Sequence, residues 1–98
     1  MPLFAAIDPD DNLPATACFF VHARAEPGVM PRVLDLFTKR GLVPSCWQSS
    51  TSGADGSQLT IDIRIGGLGR EAMNYIAACM RQVVFVEVVL TSQRHAPG

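Results

Sequence analysis

The side chains of this protein that could do covalent or metal chemistry are its thiols and imidazoles, and their spacing fits no reactive site. The thiols Cys18, Cys46 and Cys79 lie far apart along the chain and form no CxxC pair. The imidazoles His22 and His95 stand at no spacing typical of a zinc ligand set. An odd number of widely spaced cysteines forms no disulfide framework, so we expect reduced thiols. Because no nucleophile has an evident base beside it, we expect neither catalysis nor a bound metal or cofactor.

A glycine-rich stretch offers a second kind of chemistry, phosphate binding. Gly66, Gly67 and Gly69 follow a strand pattern and precede a helix pattern, which is the context of a phosphate loop. The stretch is neither G-x-G-x-x-G nor a Walker motif, because no Lys-Ser follows it. We therefore interpret it as a flexible link into the second helix.

The turn at residues 26–30 is the most plausible binding feature. It consists of Glu26, Pro27, Gly28, Val29 and Met30. A strand pattern enters this turn and an amphipathic helix leaves it. Backbone N–H groups at a helix start have no intrahelical partner, so they favour a carboxylate, and a glycine lets it approach closely. The turn is therefore predicted to bind a ligand or a protein partner.

Composition limits the classes of function. The chain has 98 residues, which suffice for one domain, and 48% of them are hydrophobic. Charged residues make up only 17%, so we expect part of the surface to be covered in an oligomer. The formal net charge of −1 disfavours a nucleic-acid partner. There is no apolar run long enough to span a membrane and no signal-peptide pattern, so a cytoplasmic location is expected.

Hydrophobic periodicity predicts six elements around the turn. Strands are predicted at residues 16–25, 42–51, 58–65 and 83–91, and helices at residues 28–40 and 69–81. We expect a Pro- and Asp-rich arm over residues 1–15, one domain over residues 16–91 and a polar tail over residues 92–98.

Each helix has a single apolar stripe, so both helices should cover the same face of one sheet. The stripe of the first helix spans an arc of about 140° and comprises Val29, Met30, Val33, Leu34 and Phe37. The predicted elements follow one another in the order βαββαβ. This order is typical of the α+β, ferredoxin-like fold, which has a four-stranded antiparallel sheet. Right-handed crossovers predict the strand order 4-1-3-2. In the last strand, alternation places Val84, Val86, Val88 and Leu90 on one face.

The sheet face away from the helices is predicted to carry His22, Arg24, Asp62 and Arg64. This polar patch is either a contact surface for a protein partner or a solvated face with weak cross-strand charge pairs. An RNA-binding face would need aromatic rings on the middle strand, where Asp62 and Arg64 stand instead.

The second strand should lie at the sheet edge, because Pro44 removes one backbone donor from its ladder. Edge strands are often covered by pairing with a second copy. Trp47 lies in this strand and is either an interface anchor or a half-buried aromatic at the sheet margin.

Two runs of sequence resemble the opening of an ACT domain. They are Arg24-Ala25-Glu26-Pro27-Gly28-Val29-Met30 and Val33-Leu34-Asp35-Leu36-Phe37-Thr38-Lys39-Arg40-Gly41. Among ACT domains, these runs are most similar to the short regulatory subunit of acetolactate synthase (acetohydroxyacid synthase). The order of the predicted elements is similar over residues 17–90, whereas the specific sequence motif covers only residues 24–41.

The resemblance implies a regulatory homodimer without catalytic residues of its own. Such subunits activate a thiamine-diphosphate-dependent catalytic subunit and in many cases confer feedback by valine, leucine or isoleucine. The amino acid would lie between residues 26–30 of one chain and the start of strand two of its neighbour, here Val43, Pro44, Ser45 and Cys46. Amino-acid-sensing members often carry asparagine where this chain has Ala25 and Val43. A stand-alone ACT protein acting on another enzyme, or a ligand-free dimerisation module, remain alternatives.

Overall fold

A computed structural model describes residues 15–95 of the chain. The predicted N-terminal arm therefore lies outside the described residues except for Ala15, as do residues 96–98 of the predicted tail. The elements in chain order are β1 (Ala15–Arg24), α1 (Val29–Thr38), β2 (Cys46–Ser52), β3 (Gln58–Gly66), α2 (Arg70–Met80) and β4 (Val86–His95). The predicted βαββαβ order is confirmed.

The four strands form one antiparallel sheet in the order β2-β3-β1-β4. This is the predicted order 4-1-3-2 read from the other edge, and β2 is an edge strand as expected. Both helices pack on one face of the sheet, because the alternating apolar residues of the two central strands all point there. This core includes Phe19, Val21, Ile61 and Ile63, each 0% exposed. The opposite face, which we call the open face, has no helix on it within residues 15–95.

The apolar stripe of α1 is narrower than the periodicity predicted. Val29, Val33 and Phe37 are buried, whereas Met30 is 37% and Leu34 39% exposed. α1 packs on the sheet along one seam, so the side of the predicted 140° arc that carries Met30 and Leu34 remains in solvent. The prediction that all five residues face the core is therefore wrong for these two.

The end of α1 agrees with the prediction from its glycine. Gly41 has φ 71, the left-handed conformation that stops a helix, and the N–H of Leu42 donates to the Phe37 carbonyl at 2.9 Å. β2 begins only at Cys46, later than predicted, because residues 42–45 make the connection from the helix to the sheet edge.

The predicted faces of the last strand are confirmed for Val88 and Leu90, which share one face, but wrong for Val86. Val89 is 3% exposed on the helix side, whereas Val88 is 43% and Leu90 59% exposed on the open face. Val86 lies on the helix side because of a register shift: His22 pairs with Val88, and Ala23 with Val86. Glu87 is thus an extra residue, a β-bulge, which puts Val86 and Val88 on opposite faces.

β4 also begins later and ends later than predicted. Phe85 has φ 77, a turn conformation that keeps it outside the strand. The pairing with β1 continues to Ala15↔His95, so residues 92–95 of the predicted tail belong to β4. Within residues 15–95, neither helix is long and apolar enough to cross a membrane.

Candidate functional site

The turn after β1 is held by the backbones of neighbouring segments. The N–H of Ala25 donates to the Ser57 carbonyl at 2.9 Å, and the N–H of Glu26 donates to the Arg24 carbonyl at 2.8 Å. The first bond ties the turn to the end of the sheet where β3 begins, and the second closes the turn on itself. The shape of the turn is therefore fixed by its own backbone hydrogen bonds.

The start of α1 offers two free backbone donors. The N–H of Val29 donates to the Glu26 carbonyl at 3.1 Å, and Pro31 has no N–H. The N–H groups of Gly28 and Met30 have no hydrogen-bond partner among residues 15–95. Two unpaired N–H groups at the positive end of a helix dipole suit one carboxylate.

Gly28 leaves open space above this helix start. Its φ is −80, an ordinary value for any residue, and a Cβ added there would meet no atom within 4 Å. The backbone conformation therefore does not require glycine at this position. Glu26, half-buried at the start of the turn, supplies a carboxylate that could accept hydrogen bonds from an ammonium group.

The second predicted wall, at the start of β2, is also built by the backbone. Ser45 donates both its N–H, at 2.8 Å, and its Oγ hydroxyl, at 3.1 Å, to the Arg64 carbonyl. Cys46 is half-buried opposite Arg64, and Pro44 is half-buried before it. Val43 is 83% exposed, so its side chain is free to contact a ligand or a second copy.

The two walls lie at opposite ends of β3. Arg24, which leads into the turn, pairs with Gln58, whereas Cys46 pairs with Arg64. These positions on β3 are separated by about 20 Å, at roughly 3.3 Å per residue. One copy of the chain therefore does not bring residues 26–30 and 43–46 together around one amino acid.

Two other predicted site residues have side chains directed to the core. Val29 is 1% exposed, so it offers a ligand only its backbone. Trp47 is half-buried, packs against the core and lies opposite Ile63 on the helix side of β2. Its partial exposure at the edge strand leaves the interface role a prediction.

The four polar residues predicted on the open face do not form one cluster. Asp62 and Arg64 are neighbours, with 3.9 Å between Oδ1 and Nε. His22 instead lies 3.7 Å from Glu87 between Nε2 and Oε1. This second pair could not be found from sequence, because Glu87 reaches His22 through the bulge in β4. Arg24 is exposed at the C-terminal end of β1.

A cleft lies between the outer surfaces of the two helices, with a volume of about 390 Å³. The Arg40 guanidinium stacks over the Tyr75 ring at 4.5 Å, and Lys39 Nζ lies 3.1 Å from Asp35 Oδ2. Both cations of the cleft thus already have partners on the chain. Within residues 15–95, no three His, Cys, Asp or Glu side chains lie close enough to hold a metal ion.

Comparison with known proteins places this fold in a family. A family model described as an ACT-like domain matches residues 10–97. A search of curated proteins finds none that matches.

Solved structures support the same fold. The ACT domain of GTP pyrophosphokinase from Chlorobium tepidum is similar with a TM-score of 0.66 at 13% identity, covering 81% of this chain and 99% of that one. The C-terminal domain of the MgtC protein from Mycobacterium tuberculosis has a TM-score of 0.65 at 13% identity, with 91% and 94% covered. The regulatory subunit of aspartate kinase from Thermus flavus has a TM-score of 0.59 at 15% identity, with 81% of this chain and 51% of that one covered.

At these identities the solved structures show a common fold. The family match covers nearly the whole chain, and the element order and strand order agree with it. The chain belongs to the ACT-like domain family, whose fold is a regulatory, ligand-binding one.

Proposed function

We propose that this chain is a regulatory subunit that dimerises through β2, binds an amino acid across the dimer interface and acts on a catalytic acetolactate synthase subunit. The observation that carries the dimeric site is the separation of about 20 Å between its two walls along β3. A site with two walls so far apart in one chain needs a second copy to complete it.

Pairing of two β2 edges in an antiparallel manner removes this separation along the strands. If Ser49 pairs with Ser49 of the second copy, Cys46 of one chain lies opposite Ser52 of the other. Ser52 is in the same row as Gln58 and Arg24, because β2, β3 and β1 are in register there. Residues 43–46 of one copy and the 26–30 turn of the other then lie at the same level of one continuous sheet.

The polar groups of the site suit a zwitterion. The free N–H groups of Gly28 and Met30 would receive the carboxylate, and Glu26 would receive the ammonium group. Val43 from the other copy would contact the side chain of the ligand. An apolar contact of this kind suits valine, leucine or isoleucine, at about 0.8 kcal/mol for each buried methylene.

The identity of the partner rests on the resemblance of residues 24–41 to the short subunit of acetolactate synthase. Its direct test is the activity of a purified, thiamine-diphosphate-loaded acetolactate synthase catalytic subunit with and without this chain. We expect stimulation that saturates at a fixed stoichiometry, and inhibition of the stimulated activity by one branched-chain amino acid. No stimulation by an excess of the chain would refute this partner.

A calorimetric titration of this chain alone with valine, leucine and isoleucine separates the ligand from the partner. Heat that disappears in Glu26→Gln but not in Asp35→Asn supports the site, because Glu26 belongs to the turn whereas Asp35 lies on α1 beside Lys39. Binding without stimulation of acetolactate synthase would instead indicate a stand-alone ACT protein that acts on another enzyme.

A ligand-free dimerisation module is the second candidate, and the exposure of Val43 favours it. An aliphatic side chain 83% exposed in one copy is readily covered by a second copy without any ligand. This candidate predicts a stable dimer, no heat with any of the three amino acids, and a dimer that weakens in Val43→Ser.

A further inference from the structure

The open face of the sheet is divided into an apolar half and a charged half. Phe20 is 42%, Val88 43% and Leu90 59% exposed, and Phe20 lies directly opposite Leu90. These three side chains form a continuous apolar patch on β1 and β4. Asp62 and Arg64 stand beside it on β3, with side chains 41% and 42% exposed. Neither half is covered by any other part of residues 15–95.

A shallow concavity of about 210 Å³ lies next to the Phe20 ring. Its lining includes Cys18, Leu90, Asp62 and Arg64. A cavity of roughly 150 Å³ suffices for a benzene ring in an apolar site. The concavity therefore has room for one phenyl ring. The exposed side chain of Phe20 on the same face carries such a ring.

We propose that a second copy of this chain packs on the open face, sheet against sheet, about a two-fold axis that runs across the strands midway between Phe20 and Cys18. Phe20 of each copy then lies above Cys18 of the other, since the two residues exchange places about this axis. The Phe20 ring of one copy fills the concavity of the other. Sheets that pack face to face are about 10 Å apart, a distance that two interleaved layers of side chains fill.

The charges on β3 agree with the same axis. Asp62 lies opposite Phe20 and Arg64 lies opposite Cys18 across the β1–β3 ladder. A rotation that exchanges the rows of Phe20 and Cys18 therefore places Asp62 of each copy over Arg64 of the other. Two reciprocal pairs result, as an isologous interface requires. Their role is chiefly to set the register of the two sheets, because complementary charges contribute more to specificity than to affinity.

The area of the open face is sufficient for this contact. Four strands at about 4.8 Å spacing, and nine residues of ladder at about 3.3 Å each, give a face of roughly 550 Å² in plan. A standard interface buries about 800 Å² of accessible surface on each partner, and side-chain relief adds to the plan area. This interface is distinct from the β2 edge of the proposed dimer, so both can form at once and give four copies.

Charge exchange between two variants tests the proposal. Asp62→Arg places two arginines on each face, and Arg64→Asp places two aspartates there. We expect each variant alone to associate about tenfold or more weakly than the wild type, because like charges then face each other. An equimolar mixture of the two variants, and the double variant Asp62→Arg/Arg64→Asp, should both recover association.

Sedimentation velocity over a range of concentrations measures the mass, with far-UV circular dichroism as a check on folding. Asp35→Lys on α1 is the matched control, since it makes a similar change of charge on the helix side and should leave the mass unchanged. Phe20→Ala should weaken association like the single charge variants. The proposal is overturned if the wild type sediments as a monomer at millimolar concentration, or if the mixture associates no better than each variant alone. A dimer unaffected by all four open-face variants would overturn it and leave the β2 dimer in place.

Discussion

Two phenylalanines in this chain provide a matched test of where the core lies. Phe37 on α1 is 0% exposed, and its ring meets that of Phe19 edge to face, with the centroids 5.5 Å apart. Phe20 is 42% exposed on the open face. Phe37→Ala should cost about 3–5 kcal/mol of unfolding free energy, which includes roughly 0.5–1.5 kcal/mol from the ring pair. Phe20→Ala should cost under about 1 kcal/mol in the monomer.

Urea unfolding followed by circular dichroism measures both changes. With a slope of about 1.5 kcal/mol per molar urea, the midpoint for Phe37→Ala should fall by about 2–3 M, and that for Phe20→Ala by less than about 0.7 M. Unfolding should be measured at a low micromolar concentration of protein, at which a weak oligomer dissociates. Equal losses for the two variants at that concentration would refute the assignment of the core to the helix face. A loss for Phe20→Ala that appears only at high concentration would instead reflect covering of the open face by a second copy.

Three further predictions concern single residues. Gly41→Ala should destabilise the fold by about 1–2 kcal/mol, because φ 71 is strained for alanine, and thermal unfolding measures the loss. Gly28→Ala should leave stability within about 1 kcal/mol, since its φ of −80 is ordinary, but should weaken any amino-acid binding at the α1 start in calorimetry. Hydrogen bonds from the Ser57 side chain and backbone hold the pKa of Asp55 below its usual value of 3.8, so their stabilisation is present above pH 3.8 and is lost as the pH falls through the lowered pKa. Ser57→Ala should therefore raise the pKa of Asp55 in a carboxyl NMR titration, and an unchanged pKa would show that the hydroxyl does not contribute.

Most of the architecture could be predicted from local sequence alone. Alternation in β3 and the 3.6-residue period of the two helices depend only on which neighbouring residues are apolar, so they predict element type and the buried face directly. Gly41 predicted the end of α1 for an equally local reason, since few other residues adopt its left-handed conformation. The strand order followed because right-handed crossovers leave few topologies for a βαββαβ chain.

Only the tertiary structure decided how these elements face each other. The bulge at Glu87 depends on the pairing of β4 with β1, and no pattern within β4 reveals an extra residue. The exposure of Met30 and Leu34 depends on how closely α1 packs on the sheet. The separation of the two halves of the predicted amino-acid site depends on strand register, since Arg24 and Cys46 meet β3 at opposite ends. Sequence periodicity determines which side of an element is apolar, but contacts between distant segments determine which apolar side remains uncovered and therefore available to a partner.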